Sequence, residues 1–461
     1  MSYDFDVLVI GSGPGGYLAA ILASQAKLKT ACVEKERLGG VCLNWGCIPS
    51  KALLRAAEQY QFIKHEANTF GIFADNIRHD YAKVIARSRK IADQSERGVK
   101  FLFKKYGVEN ISATATLTGP NTVSITSTAE PRTVTAKHVI LATGARATLF
   151  PGVEVDGERV ITYREAIASP VQPESIIVLG SGAIGLEFAY FFNSFGTQVT
   201  LVEGADRVCP NEDDDVSKEV ARSFEKQGVT VLTGAFCSSA RRDGDSAIVT
   251  LADGRQLRSS HVLVALGVTP NVEGIGLEAA GIATEQGHVK VDSSYRTTAA
   301  GFYAIGDLCG PPALAHTAYA EAHVCIGRIV GQHLPDVDYG NMPAATYCQP
   351  QIASVGLTEA AAKAKGIAFK VGKFPLSANG KARAIGSSEG FAKVLVGEKY
   401  GEILGAHLVG HDVSELLANF VMARGAEVTA EHFLHTVHAH PTIGESMYEA
   451  VAEAVGKGAH L

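Results

Sequence analysis

Val9-Ile10-Gly11-Ser12-Gly13-Pro14-Gly15-Gly16 is the stretch that decides the fold. It closes an alternating, β-branched apolar run over 4–10 and opens a helix-forming segment over 17–26. A second strand-like run, 30–33, ends at Glu34, 18 residues beyond Gly16. Strand, glycine turn, helix and strand-end acid in this order describe a dinucleotide-binding unit. Gly11, Gly13 and Gly16 let a pyrophosphate lie against backbone N–H groups at a helix N-terminus, and the carboxylate receives ribose hydroxyls. The glycines alone are weak evidence; the register of the other features makes the pattern specific.

The arrangement returns further along. An apolar run over 175–179 meets Gly180-Ser181-Gly182-Ala183-Ile184-Gly185, a helix-forming segment follows to Ser194, and a strand over 198–202 ends at Glu203, again 18 residues past the last motif glycine. Such a repeat implies two separate dinucleotide folds in one chain. A carboxylate at 203 repels a ribose 2′-phosphate and favours NAD over NADP, although Arg207 nearby carries the opposite charge. Val139-Ile140-Leu141-Ala142-Thr143-Gly144 and Gly301-Phe302-Tyr303-Ala304-Ile305-Gly306-Asp307 read as buried strands ending in turns. They flank the second unit, which is therefore expected to be inserted into the first. Beyond about residue 343 the texture changes to strands over 391–396 and 403–409 with helices over 359–365 and 414–424, an α+β pattern. The expected class is α/β, with two Rossmann-like dinucleotide-binding domains and a C-terminal α+β domain. The expected boundaries are 1–147 and 271–340 for the two parts of the first domain, 148–270 for the second and 341–461 for the third.

Length supports that division, because 461 residues hold three domains of about 150 residues, each able to bury a core. Apolar residues at 46% and charged residues at 20% are ordinary for a globular chain. The net charge of −6 and the absence of a Lys/Arg block leave no electrostatic footprint for nucleic acid or an acidic membrane. No apolar run approaches the ~20 residues of a membrane span, and the opening residues lack a basic n-region. Eight cysteines are too few for a secreted disulfide scaffold. The cytoplasm is the expected compartment, with small molecules as ligands.

Cys42 and Cys47 stand five residues apart in Gly39-Gly40-Val41-Cys42-Leu43-Asn44-Trp45-Gly46-Cys47-Ile48-Pro49-Ser50-Lys51. In an unbroken helix that spacing means a rise of about 7.5 Å and a rotation of about 140° between side chains. A disulfide needs Cα atoms within about 7 Å, so a bond here requires a bent or unwound chain, which Gly46 and Pro49 permit. Loop-closure stabilisation grows with loop length. The small loop therefore favours a labile redox couple over a structural bridge, with two buried free thiols as the remaining alternative.

His432, His435, His438 and His440 form a C-terminal histidine run. No cysteine or second carboxylate set lies at ligand spacing, and Pro441 interrupts any helix that would stack the rings, so no metal site is expected. His440 differs from the others. Glu445, across a Pro-Thr-Ile-Gly turn, can hold its imidazole in one tautomer and raise its basicity, which thiol deprotonation near neutral pH requires.

Taken together, these residues resemble the pyridine nucleotide disulfide oxidoreductase family over nearly the whole chain. The resemblance rests on the segment 39–51, both glycine motifs, Ala142-Thr143-Gly144, Gly306-Asp307, Leu314-Ala315-His316 and His438-Ala439-His440-Pro441-Thr442-Ile443-Gly444-Glu445. It implies FAD at the first site, NAD at the second, and a C-terminal interface domain through which a homodimer forms, each active site being completed by the partner chain. It implies cofactor contacts at Gly11, Gly13, Gly16, Glu34, Lys51, Thr143, Gly144, Asp307, Ala315, Gly180, Gly182, Gly185, Glu187, Glu203 and Gly267, and catalysis by Cys42, Cys47, His440 and Glu445. It places Lys51 against the flavin, paired with Glu187. Cys42 becomes the sulfur attacked by substrate, and Cys47 the thiolate beside the flavin. The implied reaction oxidises a protein-bound dihydrolipoyl dithiol and reduces NAD+, serving a 2-oxoacid dehydrogenase complex or the glycine cleavage system through its lipoyl domain.

Other members of the family fit less well. Mercuric reductases add a C-terminal cysteine pair, whereas the last cysteine here is Cys348; glutathione reductases carry basic residues around position 203 and usually read Pro-Lys-Lys at 49–51. A reductase of either type, or a flavin-bearing assembly subunit, is the alternative. Departures from the family pattern are Val268 where Arg is frequent, Gln351 where Glu is usual, and His411 at a common Pro position.

Overall fold

In the computed structural model, which describes residues 3–126 and 131–460, the run Phe5–Ile10 is the central strand of a parallel sheet. Met1 and Ser2, at the opening read above for a basic n-region, lie outside the described residues. Thr30–Glu34 pairs on one side with Val9 opposite Cys32, and Arg132–Leu141 on the other with Val9 opposite Ile140. Glu109–Ser112 and Phe302–Ala304 extend the two edges, all parallel. Because both faces are covered, Val7, Leu8 and Val9 are fully buried in succession, the continuous apolar run of an internal parallel strand. Val7 and Val9 pack under helices Pro14–Gln25, Tyr81–Tyr106 and Ala315–Ile329. Phe5, Leu8 and Ile10 face an antiparallel meander built from Thr114–Gly119, Thr122–Thr126 and the first half of Arg132–Leu141.

The second unit repeats the order of the first four strands, its far edge being taken by a strand that precedes its glycine motif. Thr230–Leu232, Gln198–Val202, Ser175–Leu179, His261–Val264 and Val160–Ile161 lie side by side, all parallel. It has its own three-stranded antiparallel sheet, Cys237–Asp243, Ser246–Leu251 and Gln256–Ser259, at the same point in the chain order as the meander of the first unit. The chain leaves the first unit along Ala145–Ala147 and returns along Val268–Pro270, and these two strands pair antiparallel. Beside the crossing, the Thr143 hydroxyl donates to the Asn271 carbonyl (2.8 Å) and the Asn271 amide to the Thr143 carbonyl (2.9 Å). The second unit is an insertion into the first.

Past residue 343 the fold becomes a five-stranded antiparallel sheet in the order Ala344–Thr346, Gln351–Gly356, Ile403–Gly410, Phe391–Gly397 and Phe369–Pro375. Helices Val413–Gly425 and Glu445–Ala454 supply Leu417, Phe420, Met447 and Val451 to its core. Three local details differ from the sequence reading. The first helix begins at Pro14, because proline at the first helical position loses only an N–H that has no partner there. The strand expected over 301–307 ends at Ala304, and Gly306–Leu308 forms a 3-10 turn that carries Asp307. Pro49 does not break the redox segment: it sits inside the first turn of helix Cys47–Gln61, again where a missing N–H is harmless.

Candidate active site

The break that the cysteine spacing requires falls at Trp45 and Gly46. Helix Gly40–Asn44 stops there, Gly46 takes φ −133° and ψ −118°, and helix Cys47–Gln61 starts afresh. The Cα atoms of Cys42 and Cys47 are thereby brought to 4.6 Å and the two residues form a disulfide. A Cβ on Gly46 would stand 3.1 Å from the Val41 carbonyl oxygen, so the closeness of the two helices depends on its absence. Asn44, fully buried, clamps the first helix by donating to the carbonyls of Leu38 and Gly40, both at 3.0 Å. The long helix Tyr81–Tyr106 buttresses both pieces: Ser88 donates to the Pro49 carbonyl (2.8 Å) and Arg89 to the Asn44 carbonyl (2.6 Å). Trp45 is capped by the Arg164 guanidinium, 4.2 Å from its ring centroid, and Arg164 in turn pairs with Glu36 at 3.0 Å.

One helical turn past Cys47, the ammonium of Lys51 lies 2.8 and 3.0 Å from the two oxygens of Glu187, a buried residue of helix Ala183–Ser194. Glu187 also accepts the Tyr347 backbone N–H at 3.1 Å, and Lys51 stands 4.3 Å above the Tyr347 ring. This one contact thus joins all three folding units. Cys348, next in the chain, is fully buried, and burial together with Glu187 pushes its thiol well up.

The two glycine turns are built alike. Gly11 and Gly180 have φ of +96° and +97°, and a Cβ on either would fall within 2.4 Å of a carbonyl oxygen, that of Ala142 or Ala265. A Cβ on Gly16 or Gly185 would collide with the carbonyl oxygen of Gly11 or Gly180. The middle glycines, Gly13 and Gly182, are different: a Cβ there meets nothing within 4 Å. Each caps a helix without a side-chain hydrogen bond among the described residues, which leaves first-turn N–H groups for a ligand to take up. The protein itself does not require glycine at these two positions, and a pyrophosphate lying against the backbone does. Both turns therefore fit a dinucleotide.

Glu34 and Glu203 are also held alike. One oxygen of each accepts the backbone N–H and hydroxyl of the motif serine, Ser12 at 2.9 and 2.6 Å and Ser181 at 2.9 and 2.7 Å. The other oxygen accepts a following backbone N–H, of Glu36 at 2.9 Å or Ala205 at 2.8 Å. Each carboxylate is thus fixed at its strand end with lone pairs to spare for a ribose. Sequence reasoning missed these serines, although their identity in the two motifs was visible. It also missed the role of Asn44, between the two cysteines, and of Arg89, Arg164 and Tyr347, which reach the site from distant segments.

On the first unit, Thr143 and Gly144 lie at the crossing strands, Gly144 at φ +65°, and Gly267 lies opposite with its carbonyl accepting the Thr148 N–H at 3.0 Å. Burial pushes the Asp307 carboxyl up, and among the described residues no side chain bonds to it. An acceptor of that kind fits the hydroxyl-bearing chain of a flavin nucleotide. Ala315 opens helix Ala315–Ile329. Behind it, Glu321 accepts the Gly306 N–H and the Tyr339 hydroxyl; burial outweighs both and lifts its pKa to about 7.

His440 and Glu445 lie on the C-terminal unit. The His440 Nδ1 is 2.9 Å from one Glu445 oxygen, and the other oxygen accepts the Thr442 N–H, also at 2.9 Å. The imidazole is 80% exposed, and among the described residues no hydrogen bond or ion pair ties it to the disulfide. The chain therefore brings together Cys42, Cys47, Lys51 and Glu187 in one place and presents His440 with Glu445 in another.

Among known proteins, residues 5–322 match the Pyridine nucleotide-disulphide oxidoreductase family and residues 342–451 its dimerisation domain. The chain is 44% identical to the dihydrolipoyl dehydrogenase of Rhizobium etli, with 99% of each protein covered. It is 45% identical to that of Chlorobaculum tepidum, with 99% of this chain and 98% of the relative covered. The crystal structure of LpdA from Mycobacterium tuberculosis superposes with a TM-score of 0.91 at 28% identity, covering 97% of this chain and 99% of that one. The HOCl-induced flavoprotein disulfide reductase RclA of Escherichia coli shares the fold at 24% identity and a TM-score of 0.87.

Proposed function

The chain belongs to the pyridine nucleotide-disulphide oxidoreductase family, and from that premise we propose which residues act and how. The protein is an NAD-dependent, FAD-containing oxidoreductase that oxidises dihydrolipoyl groups to lipoyl groups. The observation that carries this reading is the Cys42–Cys47 disulfide set across a helix break one turn from the Lys51–Glu187 pair.

One substrate thiol gives its proton to His440 Nε2, since Nδ1 is engaged by Glu445 and only a thiolate attacks a disulfide at a useful rate. The thiolate bonds to Cys42 Sγ, the Cys42–Cys47 bond breaks, and Cys47 leaves as a thiolate. The second substrate thiol then attacks the substrate sulfur of the mixed disulfide, which frees Cys42 and releases the cyclic disulfide product. Both electrons now rest on the cysteine pair. FAD held at Gly11, Gly13, Gly16 and Glu34 would supply the two-electron redox chemistry that links this pair to NAD+. Lys51 and Glu187 hold a positive charge at fixed height one turn beyond Cys47, where it favours negative charge arriving nearby.

His440 is exposed on a unit that matches a dimerisation domain, which supports its acting on the disulfide of a second copy in a homodimer. The lipoyl substrate is carried by a domain of a 2-oxoacid dehydrogenase complex or of the glycine cleavage system. Residues 1–147 with 271–340 form the FAD domain in this reading, 148–270 the NAD domain and 341–461 the interface domain, supported by the strand pairings at Ala145–Ala147 and Val268–Pro270. The assigned compartment is the cytoplasm, supported by six unpaired cysteines beside the one disulfide.

The test is a steady-state comparison of dihydrolipoamide with NAD+ against glutathione disulfide with NADPH. Turnover is expected only with the first pair. Activity confined to the second would move the protein to another branch of the family, and no turnover with either would leave an assembly role.

A further inference from the structure

Beside Glu203 the sequence places Arg207, a cation of the kind that receives a ribose 2′-phosphate. The structure shows where that charge goes. Arg207 Nη1 is 2.8 Å from Asp214 Oδ1, and Nη2 donates to the Pro210 carbonyl at 2.9 Å. Nε is buried without a hydrogen-bond partner among the described residues, so the side chain is turned into its own loop rather than freely solvated. The loop is itself pinned: the Cys209 N–H donates to the Ser181 hydroxyl at 3.0 Å, and the Ala205 carbonyl accepts the Gly234 N–H at 2.6 Å. Asp214 is the first residue of helix Asp214–Lys226, which fixes its backbone.

We propose that Asp214 is a specificity-determining residue: by holding Arg207 it denies the second nucleotide site the cation that a 2′-phosphate would need. The inference rests on the reading of that site as an NAD site. Two effects work in the same direction. The ion pair occupies the guanidinium, and the carboxylate 2.8 Å away offsets its positive charge, which lowers its attraction for a doubly charged phosphate. Asp214 is 59% exposed and Arg207 37%, so the pair is weak in absolute terms and solvent screens it. Its influence is a discrimination of a few-fold added to that of Glu203.

The test uses the holoenzyme and reads binding directly. Calorimetric titration with adenosine 2′,5′-bisphosphate is compared with 5′-AMP for the unsubstituted protein, Asp214→Asn and, as a second variant, Asp214→Ser. Both variants should bind the bisphosphate about fivefold more tightly, the scale of an exposed ion pair, with 5′-AMP unchanged within about twofold. The ratio of kcat/KM for NADPH over NADH should rise by a similar factor. Adding Arg207→Gln to Asp214→Asn should abolish the gain. Unchanged bisphosphate affinity, or a gain that survives Arg207→Gln, would overturn the proposal. Failure of the unsubstituted protein to bind 5′-AMP or use NADH would instead strike the NAD reading itself.

Discussion

Lys51 donates from its ammonium to both oxygens of Glu187, 136 residues away in sequence and in a different nucleotide unit. Glu187 is 9% exposed on its side chain, and its remaining bond is to the Tyr347 N–H of the third unit. The pair therefore fixes the redox helix against both other units while keeping a positive charge near Cys47. Lys51→Met should lower stability by about 1 to 3 kcal/mol in urea denaturation at pH 7, because it leaves a buried carboxylate without its charged donor. Reduction of the disulfide by dihydrolipoamide, followed by stopped flow, should slow by about tenfold or more if the charge also assists electron arrival. A stability loss without a rate loss would restrict Lys51 to architecture.

The His440–Glu445 pair makes a prediction about pH. Burial acts against the charge of Glu445, but the Thr442 N–H and the His440 ring together hold its carboxyl below the usual range. A depressed folded value means its stabilisation is complete above the unfolded value of about 4.3 and is lost only as pH falls through the lower folded value. Glu445 therefore stays ionised at working pH. His440→Gln should reduce dithiol oxidation by at least about 100-fold. Glu445→Gln should lower kcat/KM by about tenfold because the ring loses the acceptor that orients it, and an unchanged kcat/KM would exclude Glu445 from positioning the base.

Much of this architecture was legible because its determinants are local. A glycine turn, the helix after it and the acid at the next strand end lie within one βαβ unit, so sequence spacing alone placed Gly11 with Glu34 and Gly180 with Glu203. The break between Cys42 and Cys47 was legible for the same reason, since helix geometry forbids their union otherwise; its position at Trp45–Gly46, with Pro49 a harmless first-turn residue, was not. Tertiary partners were hidden. Nothing near Trp45 in sequence announces Arg164, and nothing near Asn44 announces Arg89. The antiparallel meanders were missed as well, because short amphipathic strands such as Thr114–Gly119 lack the buried apolar run that marks a parallel strand.

The glycine turns allow architecture and ligand binding to be separated by substitution. Gly180→Ala places a Cβ 2.4 Å from the Ala265 carbonyl oxygen at φ +97° and should destabilise the protein by more than about 1 kcal/mol, seen as a fall in denaturation midpoint. Gly182→Ala meets no atom of the chain within 4 Å, so stability should hold within about 0.5 kcal/mol. NAD+ affinity should nevertheless fall by about tenfold or more, because the methyl occupies the space through which a pyrophosphate approaches the helix N-terminus. Unaltered NAD+ binding in Gly182→Ala would remove the second turn as the pyrophosphate seat.

Lys393 presents the sharpest charge problem. Its side chain is 1% exposed, and its ammonium lies 2.7 Å from Asp213, 2.8 Å from Asp215 and 2.6 Å from Glu359. The cluster ties the inserted unit to the C-terminal sheet, with Lys373 adding a second cation 3.3 Å from Asp215. Burial opposes ionisation of Asp213 and Asp215, and the Lys393 ammonium overcomes it and holds both carboxyls low; Glu359 is lowered chiefly by the same ammonium. Their contribution is therefore present above the unfolded values of about 3.9 to 4.3 and fades only as pH drops through the lower folded values. Between pH 7 and 5 the unsubstituted protein should lose little from this source. Lys393→Met reverses the sign: with the central cation gone, burial raises the carboxyl values, and the loss of about 3 to 5 kcal/mol expected at pH 7 should shrink as protons return toward about pH 5. Urea denaturation of both proteins at the two pH values measures this directly. A deficit equal at both would mean that the lysine stem fills space and its charge matters little.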